Sequence, residues 1–155
     1  MKAASFDYAR AASVDEACVL LARHGTDARL IAGGQSLVPM MAMRLVRPTV
    51  LVDIHRITDL REWRVESDSL CVRACVRQNV IEREAALGGA VPLLRKAIRW
   101  VGHAQTRNRG TVGGSLAHAD PSAELPLVAM TLDATLIVRS SSGDRAIPSA
   151  AFFNG

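Results

Sequence analysis

Aromatic side chains are scarce in this sequence, six among 155 residues. None is interleaved with a basic run, which argues against a stacking surface for single-stranded nucleic acid. Lysine is scarcer still. Lys2 and Lys96 are the only two and neither follows a glycine, so there is no P-loop. The eleven glycines contain no GxG arrangement, which removes the Rossmann fingerprint. No HExxH or GxSxG occurs, and nothing resembles a catalytic triad. Cys18, Cys71 and Cys75 form no CxxC pair, so neither a disulfide framework nor a metal site is indicated. The most apolar stretch, residues 37–46, is interrupted by Arg44 and is too short to span a bilayer. The first thirteen residues carry Lys2, Asp7 and Arg10 with no apolar run, so no secretory signal is expected and the location expected is cytoplasmic.

What remains is a sequence of 49% hydrophobic and 22% charged residues with a net charge of +4. Those proportions exclude a disordered chain and suit a single domain or two small subdomains. A mild excess of positive charge suits an anionic ligand or an acidic partner without choosing between them.

Ser13-Val14-Asp15-Glu16 has capping-box spacing. Val14, Ala17, Cys18 and Leu21 then recur at helical intervals before Gly25, a C-cap candidate. Residues 28–32 read as a strand, 36–44 as an apolar helix and 49–53 as a second strand. This is a βαβ-like unit with parallel strands. Residues 62–66 and 70–76 then read as a hairpin turning at Ser67 and Asp68. In its second strand Leu70, Val72, Ala74 and Val76 share one face, while Cys71, Arg73, Cys75 and Arg77 share the other. The boundary between subdomains is expected at residues 56–59, giving 1–57 and 58–155. Helical spacing returns at Val91, Leu94, Ile98 and Val101. Asp120-Pro121 has the form of an N-cap and a first-turn proline ahead of a helix through Leu125, Leu127, Val128 and Leu132. Residues 134–138 read as a strand and 141–144 as a turn, and residues 152–155 end the sequence on apolar side chains without a stop signal.

Two segments repeat a pattern. One is Ile31-Ala32-Gly33-Gly34-Gln35-Ser36-Leu37; the other is Thr111-Val112-Gly113-Gly114-Ser115-Leu116. Each joins a glycine pair to a hydroxyl residue and an apolar run. Without a Cβ the main chain can approach a phosphate and adopt positive φ, so that successive N–H groups converge on the anion. A following helix adds the positive end of its dipole. Each pair equally suits a tight strand-to-helix turn. Two such pairs would clamp a diphosphate from both sides.

Longer runs carry a family resemblance. They are Phe6-Asp7-Tyr8, then Ala32-Gly33-Gly34-Gln35-Ser36-Leu37-Val38-Pro39 continuing through Met43-Arg44-Leu45 and Arg47-Pro48, then Val52-Asp53-Ile54. The last is Arg107-Asn108-Arg109-Gly110-Thr111-Val112-Gly113-Gly114-Ser115-Leu116-Ala117-His118-Ala119-Asp120-Pro121, with Glu124-Leu125-Pro126 beyond it. Together they resemble the FAD-binding medium subunit of the molybdenum hydroxylases, the carbon monoxide dehydrogenase and xanthine dehydrogenase group.

The resemblance implies an α+β, two-subdomain FAD-binding fold, with a βαβ-like N-terminal piece and an antiparallel-sheet subdomain. It implies that Ile31, Ala32, Gly33, Gly34, Gln35, Ser36 and Leu37, with Thr111, Val112, Gly113, Gly114 and Ser115, hold the FAD diphosphate and adjacent groups. It also implies that Glu124 and Asp120 contact FAD hydroxyls. An N-cap role for Asp120 and a helix-dipole role for Glu124 are the alternatives. The partners implied are a molybdopterin-binding large subunit and an iron–sulfur small subunit, with electrons passing through FAD to an external acceptor. No catalytic side chain is nominated, because the flavin carries the redox chemistry.

The rival readings are a non-catalytic remnant of such a subunit and another FAD-dependent oxidoreductase of related fold. Relatives are expected to continue past the equivalent of Gly155, and they commonly have Gly where this chain has Arg73. His103 and His118 flank the second glycine pair as structural or flavin-lining residues. Arg107 and Arg109 face phosphate, solvent or a neighbouring subunit.

Overall fold

The computed structural model describes residues 2–67 and 69–153. Asp68, at the expected hairpin turn, and Asn154 and Gly155, in the expected apolar ending, lie outside them. Three short strands, β1 (Asp7–Arg10), β2 (Ala28–Ile31) and β3 (Val50–Asp53), form a parallel sheet in the order β1-β3-β2. Arg10 and Ile31 both pair with Asp53, so all three strands end at one edge. Every residue of the central strand is buried, as a parallel strand covered on both faces requires.

Helix α1 (Val14–His24) covers that sheet, with Ala17 buried and Val14, Leu20 and Leu21 set against the core. Its capping box is present with one change. Ser13 Oγ accepts the Glu16 amide at 3.1 Å, and Glu16 reaches back to the Ala12 amide at 2.7 Å, one residue before the cap. Gly25, at φ 53°, closes the helix by donating to the Leu21 carbonyl. The apolar helix expected at 36–44 is the six-residue α2 (Leu37–Ala42).

The expected hairpin forms from β4 (Trp63–Val65) and β5 (Leu70–Val72) and is shorter than its sequence pattern. Alternation fails beyond Val72 because the chain turns, with the Val76 amide donating to the Arg73 carbonyl at 3.1 Å. Cys75 and Val76 are consequently both buried although adjacent. Cys75 joins the first core beside Ile54 and Ile57, and Val76 joins a second one.

That second core is mostly helical. It collects α3 (Gln78–Arg83), α4 (Ala85–Ala90), α5 (Pro92–Ile98), α7 (Val112–His118) and α8 (Glu124–Thr131) around Ile81, Leu87, Leu94, Ile98 and Leu125. Between α5 and α7 lies α6 (Ala104–Arg109). The expected N-cap at Asp120 is not one. Helix α8 begins at Glu124 with Ala123 at its cap, and Asp120 Oδ1 accepts the Ser122 amide and hydroxyl in the preceding turn. The chain then forms the antiparallel hairpin β6 (Thr135–Ser140) and β7 (Gly143–Pro148), followed by α9 (Ser149–Phe152). Arg139 ties the hairpin to α1 through Asp15 at 2.9 Å.

The α+β class therefore holds. Among the described residues, the antiparallel part consists of two separate hairpins. No helix among them is long and apolar enough to cross a membrane.

Candidate functional site

In an open sheet of parallel strands, ligands favour the crevice at the strands' carboxyl ends. The first glycine pair lies there, beginning two residues beyond Ile31 of β2. Gly34 adopts φ +71°, which only glycine takes without strain. Its carbonyl accepts the Val38 amide at 3.1 Å, and Gln35 folds back to donate from Nε2 to the Gly33 carbonyl at 3.2 Å. Both bonds consume acceptors. Among the described residues, the main-chain N–H groups of Gly33, Gly34, Gln35 and Ser36 donate to no protein atom. Four successive amides without partners suit an anion. Ala32 and Leu37 are half-buried beside them, and Ser36 offers an exposed hydroxyl that does not cap α2.

The second pair is built differently. Gly113 and Gly114 lie inside α7 rather than in a turn ahead of it. Val112 donates to the Val76 carbonyl at 3.0 Å and Gly113 to the Ala74 carbonyl at 2.9 Å. Gly114 donates to Thr111 Oγ1 at 3.1 Å, and Ser115 to the Thr111 carbonyl at 3.1 Å. All four amides donate within the protein, unlike those of the first pair. Both glycines also leave room for close neighbours. A Cβ on Gly113 would fall 2.6 Å from the Ala74 Cα, and one on Gly114 would fall 2.6 Å from the capping Thr111 oxygen. The Ser115 hydroxyl has no partner among the described residues.

The two motifs nonetheless meet. A Cβ on Gly33 would collide with the Arg109 carbonyl and come within 3.0 Å of the Gly110 Cα. Gly110 in turn leaves room for Gln78, whose amide donates to the Gly110 carbonyl at 3.0 Å. Gln78 is 4% exposed, and its Oε1 is a buried side-chain oxygen without a partner among the described residues. Its neighbour Arg77 bridges to Thr111 in an isolated antiparallel contact and donates through Nη1 to the Arg109 carbonyl. The first loop and residues 109–111 are thus joined backbone to backbone, with no side chain between them.

The remaining candidates separate by their partners. Arg107 is committed to Glu82 at 2.9 Å and to the carbonyls of Val101 and Gly102, so it holds the fold rather than a phosphate. His103 and His118 are exposed at the ends of α6 and α7. Asp120 is held below the ordinary carboxylate range by its two bonds from Ser122. Glu124 is half-buried and has no hydrogen bond or ion pair among the described residues.

One cluster escaped the sequence reading. Asp53, 4% exposed at the end of β3, accepts the Tyr8 hydroxyl, the His55 amide at 2.9 Å and the His55 ring through Nδ1 at 2.7 Å. Burial raises its pKa, but those bonds outweigh burial and hold the carboxyl below its usual range. Tyr8 and Asp53 lie in runs that carry the family resemblance, yet their 45-residue separation hides the contact. Burial drives the Cys75 thiol up to about 11, which leaves it protonated and inert at neutral pH.

Residues 4–155 match the family described as the FAD binding domain in molybdopterin dehydrogenase. The 6-hydroxypseudooxynicotine dehydrogenase complex subunit alpha of Paenarthrobacter nicotinovorans is 47% identical over 148 residues, covering 96% of this chain and 50% of that protein. The carbon monoxide dehydrogenase medium chain of Hydrogenophaga pseudoflava is 37% identical over 150 residues, covering 97% of this chain and 52% of its own. Among solved structures, carbon monoxide dehydrogenase from Hydrogenophaga pseudoflava superposes with a TM-score of 0.97 at 37% identity. Quinoline 2-oxidoreductase from Pseudomonas putida 86 does so at 0.96 and 42%. Each covers 100% of this chain, which covers 54% of theirs. The chain spans about half the length of the relatives it matches.

Proposed function

The chain belongs to the FAD-binding domains of molybdopterin dehydrogenases, and from that premise we propose that residues 33–36 grip the diphosphate of its cofactor, FAD. The observation that carries this reading is the run of four unpartnered amides beside a glycine at positive φ. In this reading residues 111–115 act mainly as the brace behind that loop. The Ser115 hydroxyl and the Glu124 carboxylate, both without partners among the described residues, remain for the cofactor's hydroxyls and phosphate edge. Asp120 serves the same region through the carboxylate face left free by Ser122.

FAD supplies the electron-transfer chemistry when bound, and the chain binds, orients and shields it. Residues 1–57 and 58–155 form the two subdomains of the reading, with the cofactor between them. The whole protein is an electron-transfer subunit of a molybdenum hydroxylase in the cytoplasm. It takes electrons from an iron–sulfur small subunit, which a molybdopterin-binding large subunit reduces, and passes them to an external acceptor. The words "subunit" and "medium chain" in the names of its relatives support that assembly.

Replacing Gly34 tests the loop. Gly34→Val imposes strain at φ +71° and places a branched side chain against Val38, whose Cγ2 lies 3.1 Å from the position a Cβ would take. FAD affinity, followed by flavin fluorescence, is expected to fall about tenfold or more while far-UV circular dichroism is preserved. A folded variant that binds FAD as tightly as the parent overturns the reading.

A further inference from the structure

Arg77 reaches the join between the two motifs. It precedes α3, pairs with Thr111 across an isolated bridge and donates one N–H, from Nη1, to the Arg109 carbonyl. Gly33 flanks that same carbonyl oxygen from the first loop. A guanidinium has five N–H donors in a planar fork. Among the described residues, the donors on Nε and Nη2 meet no acceptor, and Arg77 forms no ion pair.

The surrounding charge sharpens the point. Arg61 and Arg109 are close enough to repel Arg77, and neither has an ion-pair partner among the described residues. Asp53, a carboxylate that acts on it, is already occupied by Tyr8 and His55. Arg77 is also half-buried, so water screens it incompletely. Burial and the two like charges pull its pKa below the ordinary guanidinium range, although arginine stays protonated at any physiological pH. A neutral donor would hold the Arg109 carbonyl at lower cost. A guanidinium with free donors, joined through the Arg109 carbonyl to a loop of four unpartnered amides, suits an anion that carries more than one charge.

We propose that Arg77 is the cationic arm of the cofactor cradle, pairing the free edge of its guanidinium with a phosphate oxygen of the FAD diphosphate held by residues 33–36. The proposal rests on the loop reading above and adds a side chain to a site otherwise made of main chain. Arg61 and Arg109 contribute long-range attraction without being assigned a contact.

The test uses the protein purified in its native assembly, stripped of flavin, and two probes, FAD and riboflavin, which lacks phosphate. Arg77→Gln is expected to weaken FAD about tenfold, leave riboflavin within twofold of the parent and flatten the dependence of FAD affinity on NaCl. Arg77→Lys keeps the charge and loses the fork, so its FAD affinity should fall between the parent and Arg77→Gln. It also covers the case in which Arg77→Gln does not fold. FAD affinity unchanged in the folded variants overturns the proposal. So does an equal loss of FAD and riboflavin, which would mark Arg77 as a brace for the Arg109 carbonyl alone. Gly34→Val, run in parallel, separates the two ideas. If it weakens FAD and the Arg77 variants do not, only the role of Arg77 falls. If it too leaves FAD binding intact, the loop reading falls with it.

Discussion

Gly113 rests directly on Ala74: its amide donates to the Ala74 carbonyl at 2.9 Å, and a Cβ in its place would lie 2.6 Å from the Ala74 Cα. The contact sits at the start of α7, where the chain leaves the join with the first loop.

Gly113→Ala is therefore expected to act on the fold first. Moving one main-chain segment off another costs about 1–3 kcal/mol, which chemical denaturation would register as a lower midpoint. FAD and riboflavin affinities should decline together, unlike the phosphate-selective loss expected at Arg77. A variant of unchanged stability that loses only FAD would contradict the packing role.

Thr111 is the cap on which α7 depends. Thr111→Ala removes the acceptor for the Gly114 amide and should cost about 1 kcal/mol in denaturant unfolding. Thr111→Ser keeps the oxygen and should recover most of that loss. Equal stability of both variants would show that the bond is dispensable.

Arg107 should behave as a structural residue although it lies in a basic, phosphate-like motif. Arg107→Ala leaves Glu82 without its partner and two carbonyls without their donor. A loss of about 1–3 kcal/mol is expected, with no change in the salt dependence of FAD binding. A flatter salt dependence would instead place the guanidinium on the cofactor.

Asp53 predicts a pH dependence whose sign is fixed. Its carboxyl is held below the unfolded value of about 3.9, so its stabilisation is complete above that pH and is lost as pH falls through the lower folded value. Asp53→Asn should be less stable than the parent at neutral pH, and the gap should close on acidification. At the alkaline end the opposite sign applies to Tyr8, whose hydroxyl is raised above about 10 by its bond to Asp53. Its contribution is present below pH 10 and is lost as pH rises through the folded value. Tyr8→Phe should abolish that alkaline dependence. Parallel stability curves for parent and variants would remove the linkage.

Local signals carried much of the fold. The Ser13 cap, the Gly25 stop, strands β2 and β3 and strand β6 with its turn all follow from nearby residues and are legible as such, whereas β7 was not read as a strand. Strand β1 was not, because Asp7–Arg10 has no buried alternation and acquires its state only by pairing with β3. Asp120-Pro121 misled for a similar reason. A cap residue and a proline define a turn as readily as a helix start, and Ser122 supplied the partner that settled it. The two glycine pairs show the limit most directly. They read alike, yet the amides of one are free while those of the other are taken by Val76, Ala74 and Thr111. Two of those acceptors lie more than thirty residues away along the chain, where no local pattern reaches. Arg77 and Gln78 were hidden in the same way.

The meeting of Gly33 with Arg109 and Gly110 has a consequence for how such a sequence can drift. A contact between two bare main chains has no rotamer to adjust and no methyl group to trade, so no neighbouring substitution can compensate for a change there. In a saturation library scored for folded protein, position 33 should reject nearly every replacement, while exposed Gln35 two residues away accepts many. The least forgiving sites in the chain would then be those with the least chemistry of their own.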